Sequence, residues 1–241
     1  MGFYRGPRLV TEGLVLALDA GSQRSYPGSG NTWYDLSGNG NHVTLYNSPS
    51  FNNGVLSFNG INQYGKTTSE LDLSNKTGIT VDICIKVASE STNSMVFEHT
   101  TNWNSRNSYG GIMYGGFGWY TNSNGSTGVP NTQHLQLNGN VALSSANVVM
   151  NVTTFNIITI VYDFTKPFGE EVSAYQNSVF VGDSSSGENT SQFASDYLYL
   201  ASRGGISFGS VDYSLIRVYN RALTSAEILQ NFNAQKGRFG L

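Results

Sequence analysis

One stretch constrains the fold of this chain more than any other. From residue 79 to 87 every odd position is apolar (Ile79, Val81, Ile83, Ile85, Val87), while the even positions carry Thr80, Asp82, Cys84 and Lys86. A period of two puts successive side chains on opposite faces, so the stretch reads as a strand with one face in a core and the other in water. A slip of one residue would expose all five apolar side chains, which fixes the register. Residues 157–162 are apolar apart from Thr159 and suit a strand covered on both faces; 211–219 is another long β-rich run. Shorter strand candidates fall at 14–18, 56–58, 63–66, 95–98, 112–114, 134–137, 148–152, 172–176, 179–181 and 197–200.

Clusters of Gly, Asn and Ser separate these runs at 28–31, 37–41, 52–54, 122–128 and 184–189. Gly and Asn tolerate positive φ, and Ser and Asn bond their own backbone, so these are turns. Many short strands at this spacing predict an all-β fold, an antiparallel sandwich or barrel. The amphipathic helices of a parallel α/β sheet are missing. One helix is expected: Thr224-Ser225-Ala226-Glu227 is a capping box, Ile228, Leu229 and Phe232 form an apolar stripe, and Gly237 is the expected stop. A short helix after the last strand is expected on the sandwich edge.

Charge is sparse, 12% against a usual share of about a quarter, with a net of −3, so no basic footprint for nucleic acid exists. No apolar run approaches the roughly 20 residues that cross a bilayer, and the stretch 14–18 is too short for a signal peptide. Cys84 is the single cysteine, which excludes an intramolecular disulfide and a thiolate metal cluster. The domain reading is one sandwich over 11–235, with an N-terminal arm at 1–10 and a C-terminal tail at 236–241. Both ends are basic and aromatic. Phe3, Tyr4, Arg5, Arg238 and Phe239 therefore read either as frayed termini or as arms that dock on a partner.

Chemistry is thinly marked. His42, His99 and His134 lie in unrelated segments without zinc-site spacing. There is no G-x-S-x-G elbow and no phosphate-binding loop. A retaining glycosidase needs two carboxyl groups about 5–5.5 Å apart. The nearest local candidate, Glu70-Leu71-Asp72, lacks a third acid, and Glu170-Glu171 would face opposite ways. Asp19, Asp35 and Asp212 are candidate calcium donors, but no local motif supports a metal, and no cofactor is expected. Asp35 reads as an Asx-type turn or as a metal or ligand contact. Trp33, Trp103, Tyr109, Tyr114 and Trp119 lie in Gly- and Asn-rich surroundings. They read either as core packing or as platforms on which sugar rings stack.

Several segments together resemble a laminin-G-like domain of the concanavalin A-like lectin/glucanase superfamily. They are Gly13-Leu14-Val15-Leu16-Ala17-Leu18-Asp19-Ala20, Trp33-Tyr34-Asp35-Leu36-Ser37-Gly38-Asn39-Gly40-Asn41, Leu56-Ser57-Phe58-Asn59-Gly60-Ile61-Asn62-Gln63-Tyr64, the strand 79–87, and 211–219 with Asn220-Arg221-Ala222-Leu223-Thr224-Ser225-Ala226-Glu227-Ile228. With Tyr26-Pro27-Gly28-Ser29-Gly30 and the ending 232–241, the chain is similar to structural proteins of tailed bacteriophages. The resemblance implies a virion component whose sandwich is a lectin-like jelly roll. With the acid triad missing, the leading reading is a non-enzymatic virion protein, made in the host cytoplasm, that decorates capsid or tail. It would contact other virion proteins, bind host surface glycans and form a homo-oligomer. A dedicated glycan-binding adhesin is the alternative, and a glycoside hydrolase a third reading. Relatives carry F-D-G-x-x-D-Y where this chain has Asn59 and Gln63, so a calcium ion at that spot would lose two formal charges.

Overall fold

The computed structural model describes residues 7–87, 94–99, 117–122, 132–137, 140–143, 154–167, 170–183, 193 and 195–241. Among these, two eight-stranded antiparallel sheets hold nearly all the strands. The first runs Val179–Asp183, Val172–Gln176, Asn156–Asp163, Gly78–Val87 and Val211–Tyr219. Along the far side of Val211–Tyr219 lie Val55–Ser57, itself paired with Ser50–Asn52, and Leu14–Asp19. The second runs Asn140–Leu143, Thr132–Leu137, Phe117–Asn122, Ser94–His99, Leu198–Leu200, Tyr64–Thr67, Val43–Tyr46 and Thr32–Trp33. The expected stretches 112–114 and 148–152 lie outside the described residues.

The inward face follows the alternation. Ile79, Val81, Ile83 and Ile85 are fully buried in the main core, facing Leu45, Phe97, Leu198 and Leu200 of the other sheet in one cluster. Tyr213 ties the sheets together across this core. Its hydroxyl donates to the Val96 carbonyl of the second sheet and accepts the Ala201 amide at 3.1 Å. Burial pushes that phenol upward, so it stays a neutral donor.

The expected wet face of this strand is dry. Thr80, Asp82 and Cys84 are all buried, because the helix Ser225–Phe239 lies on the outer face of the first sheet rather than on its edge. Ile228 packs with Val10, Val161, Tyr219 and Leu223, and Phe232 and Phe239 cover Cys84, Ile157 and Leu215. Polar side chains under a lid need partners. The Thr80 hydroxyl donates to the Arg221 carbonyl and accepts the Leu223 amide, both at 2.9 Å. Asp82 accepts from Arg217 at 3.2 Å and from the Thr159 hydroxyl at 2.9 Å. Thr159, the one polar residue in its run, is thus the partner of a buried carboxylate.

The capping box forms as its sequence dictates: Glu227 Oε2 accepts the Thr224 amide at 2.9 Å, and Thr224 Oγ1 accepts the Glu227 amide at 3.3 Å. The helix does not stop at Gly237. It continues to Phe239, and Gly240 closes it in the left-handed conformation with φ 70°. The expected tail 236–241 is therefore the last turn of the helix and its cap. At the other end Val10 is buried and donates its amide to Asn231 Oδ1 at 2.9 Å, so the N-terminal segment docks on the same helix.

Candidate functional site

Of the five aromatic residues expected to meet sugars, Trp103, Tyr109 and Tyr114 lie outside the described residues. Trp119 sits mid-strand in Phe117–Asn122, between Phe97 and Leu135 in register. Trp33 is corrected: it is 0% exposed in the main core. Its strand pairs it with Val43, whose side chain also points inward, so the pleat carries the indole away from solvent. Phe3, Tyr4 and Arg5 also lie outside the described residues. Arg238 and Phe239 are corrected as arm residues. Arg238 grips both oxygens of Asp19 at 2.7 and 2.8 Å and donates to Ser214 Oγ at 3.1 Å, and Phe239 lies 6.1 Å from the Phe155 ring.

The outer face of the second sheet collects what these residues do not. Cross-strand partners share a face. The register sets Gly118 opposite Glu98, Glu98 opposite Tyr199, Tyr199 opposite Lys66, and Lys66 opposite Thr44. Leu200, Gly65, Val43 and Leu45 occupy the alternating inward positions. Two residues along the same face, Tyr46 and Tyr64 stand opposite each other with rings stacked at 4.4 Å and 3° apart in plane. Tyr199 follows at 6.5 Å from Tyr64. The Lys66 ammonium lies 3.7 Å from the centre of the Tyr197 ring and 5.5 Å from that of Tyr199. Tyr46 is 38% exposed, and among the described residues no second ring covers its other face. Burial and the neighbouring Tyr46 and Tyr199 hold the Tyr64 phenol above its ordinary pKa, against the pull of Lys66, so its hydroxyl remains protonated.

A hairpin walls this stripe. Ser202 pairs with Phe208 and Arg203 with Ile206, around Gly204 and Gly205 at φ +56° and +82°. Phe208 lies 6.0 Å from the Tyr64 ring. Gly209 lets the hairpin close on Ser94–His99, since a Cβ there would fall 1.9 Å from the Met95 carbonyl oxygen. Glu98 lies beneath, fully buried; the Gly204 amide of the hairpin approaches it, but among the described residues neither carboxylate oxygen is held at full hydrogen-bond geometry. Burial raises its pKa to about 8; the Arg203 guanidinium and the Gly204 amide lower it by less, and Asp196 adds to the rise. Next to it, His99 faces inward, with Nε2 donating to the Leu71 carbonyl at 3.0 Å, and burial drops its pKa to about 4.

The remaining candidates are structural. Asp35 accepts the amides of Ala17 and Ser37 at 2.8 Å and of Asn41 at 3.0 Å, with the Ser37 hydroxyl at 2.7 Å, which is the turn reading. Glu70 accepts from Ser195 at 3.0 Å, and Asp72 from the Ser74 amide and hydroxyl at 3.0 and 2.5 Å. At the loop where relatives carry two acids, amides bond one another. Asn59 Oδ1 accepts the Ile61 amide at 2.9 Å, and Gln63 donates to the carbonyls of Asn47 and Ser48 at 3.1 and 2.8 Å. Among the described residues no three His, Cys, Asp or Glu side chains gather as a metal site. A cleft of about 520 Å³ opens beside that loop, floored by Tyr26 and Phe51.

The stripe was not legible as a site because its members come from four separate segments. Only the registers of three strand pairs bring Tyr46, Tyr64, Lys66, Tyr199 and Glu98 together.

No family model matches the chain, and no curated protein sequence matches it. Solved structures do. Trypanosoma rangeli sialidase is similar at 15% identity and a TM-score of 0.61, over 93% of this chain and 33% of that one. Its complex with sialic acid is similar at 14% identity with the same TM-score and coverage. A structure of botulinum neurotoxin type C, whose cell entry depends on interaction with two ganglioside molecules, is similar at 12% identity and a TM-score of 0.56, over 93% of this chain and 52% of that one. The chain thus spans about a third of the sialidase and half of the neurotoxin chain, and identities this low bear on fold. One expectation is overturned. A non-enzymatic chain follows from the missing acid after Glu70-Leu71-Asp72 only if acids must share a strand, and the architecture found here occurs in chains named as sialidases. The fold gives no ground for excluding catalysis.

Proposed function

We propose that this chain binds glycans on the outer face of its second sheet and serves as a structural component of a tailed bacteriophage particle. The first part is carried by one observation: the half-exposed Tyr46 ring, stacked on Tyr64, with no second ring on its other face among the described residues. A pyranose ring offers an apolar CH face to such a surface, and the hydroxyls of Tyr64 and Tyr199 with the Lys66 ammonium supply polar contacts around it. Supporting this reading, structures of similar fold include a sialic acid complex and a toxin whose cell entry depends on gangliosides. Titration of the purified chain against a glycan panel tests it. Tyr46→Ala should weaken binding at least about tenfold, or ~1.4 kcal/mol. A wild-type chain that binds no glycan sinks the reading. Following the same glycans for cleavage reports whether binding leads to hydrolysis.

The particle role rests on the sequence resemblance of 13–20, 26–30 and the closing segment to phage structural proteins. With Arg238 and Phe239 committed to the helix, attachment falls to Phe3, Tyr4 and Arg5. Deleting residues 1–6 should lower incorporation into particles while leaving glycan binding intact. Normal loading of the shortened chain overturns that assignment. Particles that assemble without the chain yet fail to adsorb would favour the host-attachment adhesin.

A further inference from the structure

The most unusual group on the molecule is Glu98. Its strand lies in the middle of the second sheet, and its side chain shares a face with Tyr199 on one neighbour and with Gly118 on the other. It is 0% exposed, and among the described residues neither oxygen is held at full hydrogen-bond geometry; the polar groups near it, the Gly204 amide and the Arg203 guanidinium, belong to the hairpin that covers it. Buried polar groups are nearly always paired, because leaving one unpaired forfeits its hydration without replacement, and the more so when it carries charge. Gly118, opposite it on the neighbouring strand, brings no side chain that could pair with it. The cover over it is thin. The hairpin Ser202–Arg203 to Ile206–Phe208 turns through two glycines, and the backbone at Ala201 and Ser207, on either side, sits at φ +55° and +52°. Non-glycine residues adopt that region only under constraint, so the closed hairpin is held against local strain. Ile206 at its tip is 54% exposed.

We propose that Glu98 is the ligand-orienting residue of the tyrosine stripe, its carboxyl accepting or donating hydrogen bonds to hydroxyls of a bound glycan when the hairpin 202–208 lifts. This rests on the stripe being the glycan site. Tyr46, Tyr64 and Tyr199 line the ring along the sheet, and Glu98 closes the row at the Gly118 end, beyond Tyr199 and Lys66. The ligand class is a glycan of two or more rings, since the row spans four strands from Thr44 to Glu98, and a carboxyl that burial keeps protonated exchanges hydrogen bonds with sugar hydroxyls without selecting for charge. The poor pairing of Glu98 among the described residues is then a stability cost retained for binding.

The test compares Glu98→Leu, Glu98→Gln and Tyr46→Ala for melting temperature and glycan affinity. Glu98→Leu should raise the melting temperature by a few degrees and weaken binding at least tenfold. Glu98→Gln, which keeps one acceptor and has no charge, should fall between. Tyr46→Ala should weaken binding and leave the melting temperature within a degree. A lower melting temperature for both Glu98 variants overturns the proposal, because the carboxyl is then a paired structural group. Wild-type affinity in both Glu98 variants, with Tyr46→Ala weakened, overturns it while the stripe stands. Wild-type affinity in all three variants, or a wild-type chain that binds no glycan, removes the stripe and Glu98 with it.

Discussion

Glu98 and His99 are adjacent in sequence and face opposite sides of one sheet, and burial moves their pKa values in opposite directions. Glu98 is raised to about 8 and His99 lowered to about 4. Between pH 4.5 and 6.5 the folded state holds a proton on Glu98 that the unfolded chain releases, while the unfolded chain holds one on His99 that the folded state refuses. The two slopes oppose each other there. Above pH 6.5 only Glu98 acts. The folded state then binds more protons than the unfolded, so stability falls as pH rises to about 8. Denaturant unfolding at pH 6.5 and 8 should show a loss of up to about 1.4 kcal/mol per pH unit, absent in Glu98→Leu. An identical slope in that variant would assign the loss to another group. Asp35 illustrates the other use of a carboxylate: four hydrogen bonds, three from its own loop and one from Ala17 in the strand Leu14–Asp19, make it a bracket for the turn rather than a ligand.

The helix Ser225–Phe239 is the element whose role the chain's own pattern conceals most. Its start is written locally in Thr224 and Glu227, and the Arg221 guanidinium, 2.6 Å from Glu227, holds that carboxyl down at about 2. Its end is written at a distance. Arg238 reaches Asp19, and Gly21 gives the guanidinium room, since a Cβ there would lie 2.0 Å from Nη2. Phe232 and Phe239 seal the layer that holds Cys84, whose thiol burial pushes upward. Removing residues 236–241 should therefore lower the melting temperature and expose Cys84. Thiol labelling under native conditions should be at least tenfold faster in the shortened chain. Equal labelling rates in the two chains would mean that the last helical turn does not seal the sheet.

At the scale of the molecule, two sheets face each other through an apolar core, and one polar tie crosses it. The Tyr213 hydroxyl bridges the Val96 carbonyl and the Ala201 amide, both on the second sheet side, from a strand of the first. Tyr213→Phe keeps the ring, and its edge-on contact with Phe58 at 5.3 Å, and leaves the Ala201 amide bonded to the Val96 carbonyl at 2.9 Å, so only the bridging hydroxyl is lost. It should cost about 0.5–1.5 kcal/mol in unfolding free energy. A change below about 0.5 kcal/mol would mean that the hydroxyl adds nothing to the direct bond between Ala201 and Val96. The same tie anchors the base of the hairpin 202–208, so this variant also reports how firmly the cover of Glu98 is held.

What this sequence determines by itself is everything encoded at a period of two or in a fixed local spacing. The inward register of Ile79 to Ile85 follows from alternation, the turns from Gly and Asn, and the helix start from a capping box four residues long. What only the tertiary structure decides is what covers each face and which strands lie side by side. The even face of Gly78–Val87 carries Thr80, Asp82 and Cys84, a composition equally suited to water, and it is dry because a helix 140 residues later in the chain folds over it. Trp33 sits in a glycine- and asparagine-rich stretch that suits a surface loop, and a two-residue strand pairing turns it inward. The tyrosine stripe and the buried Glu98 exist only through the registers that align 43–46, 64–67, 198–200 and 94–99. Local sequence sets which way a side chain can point. Long-range pairing, with its cost in chain entropy, sets what it points at.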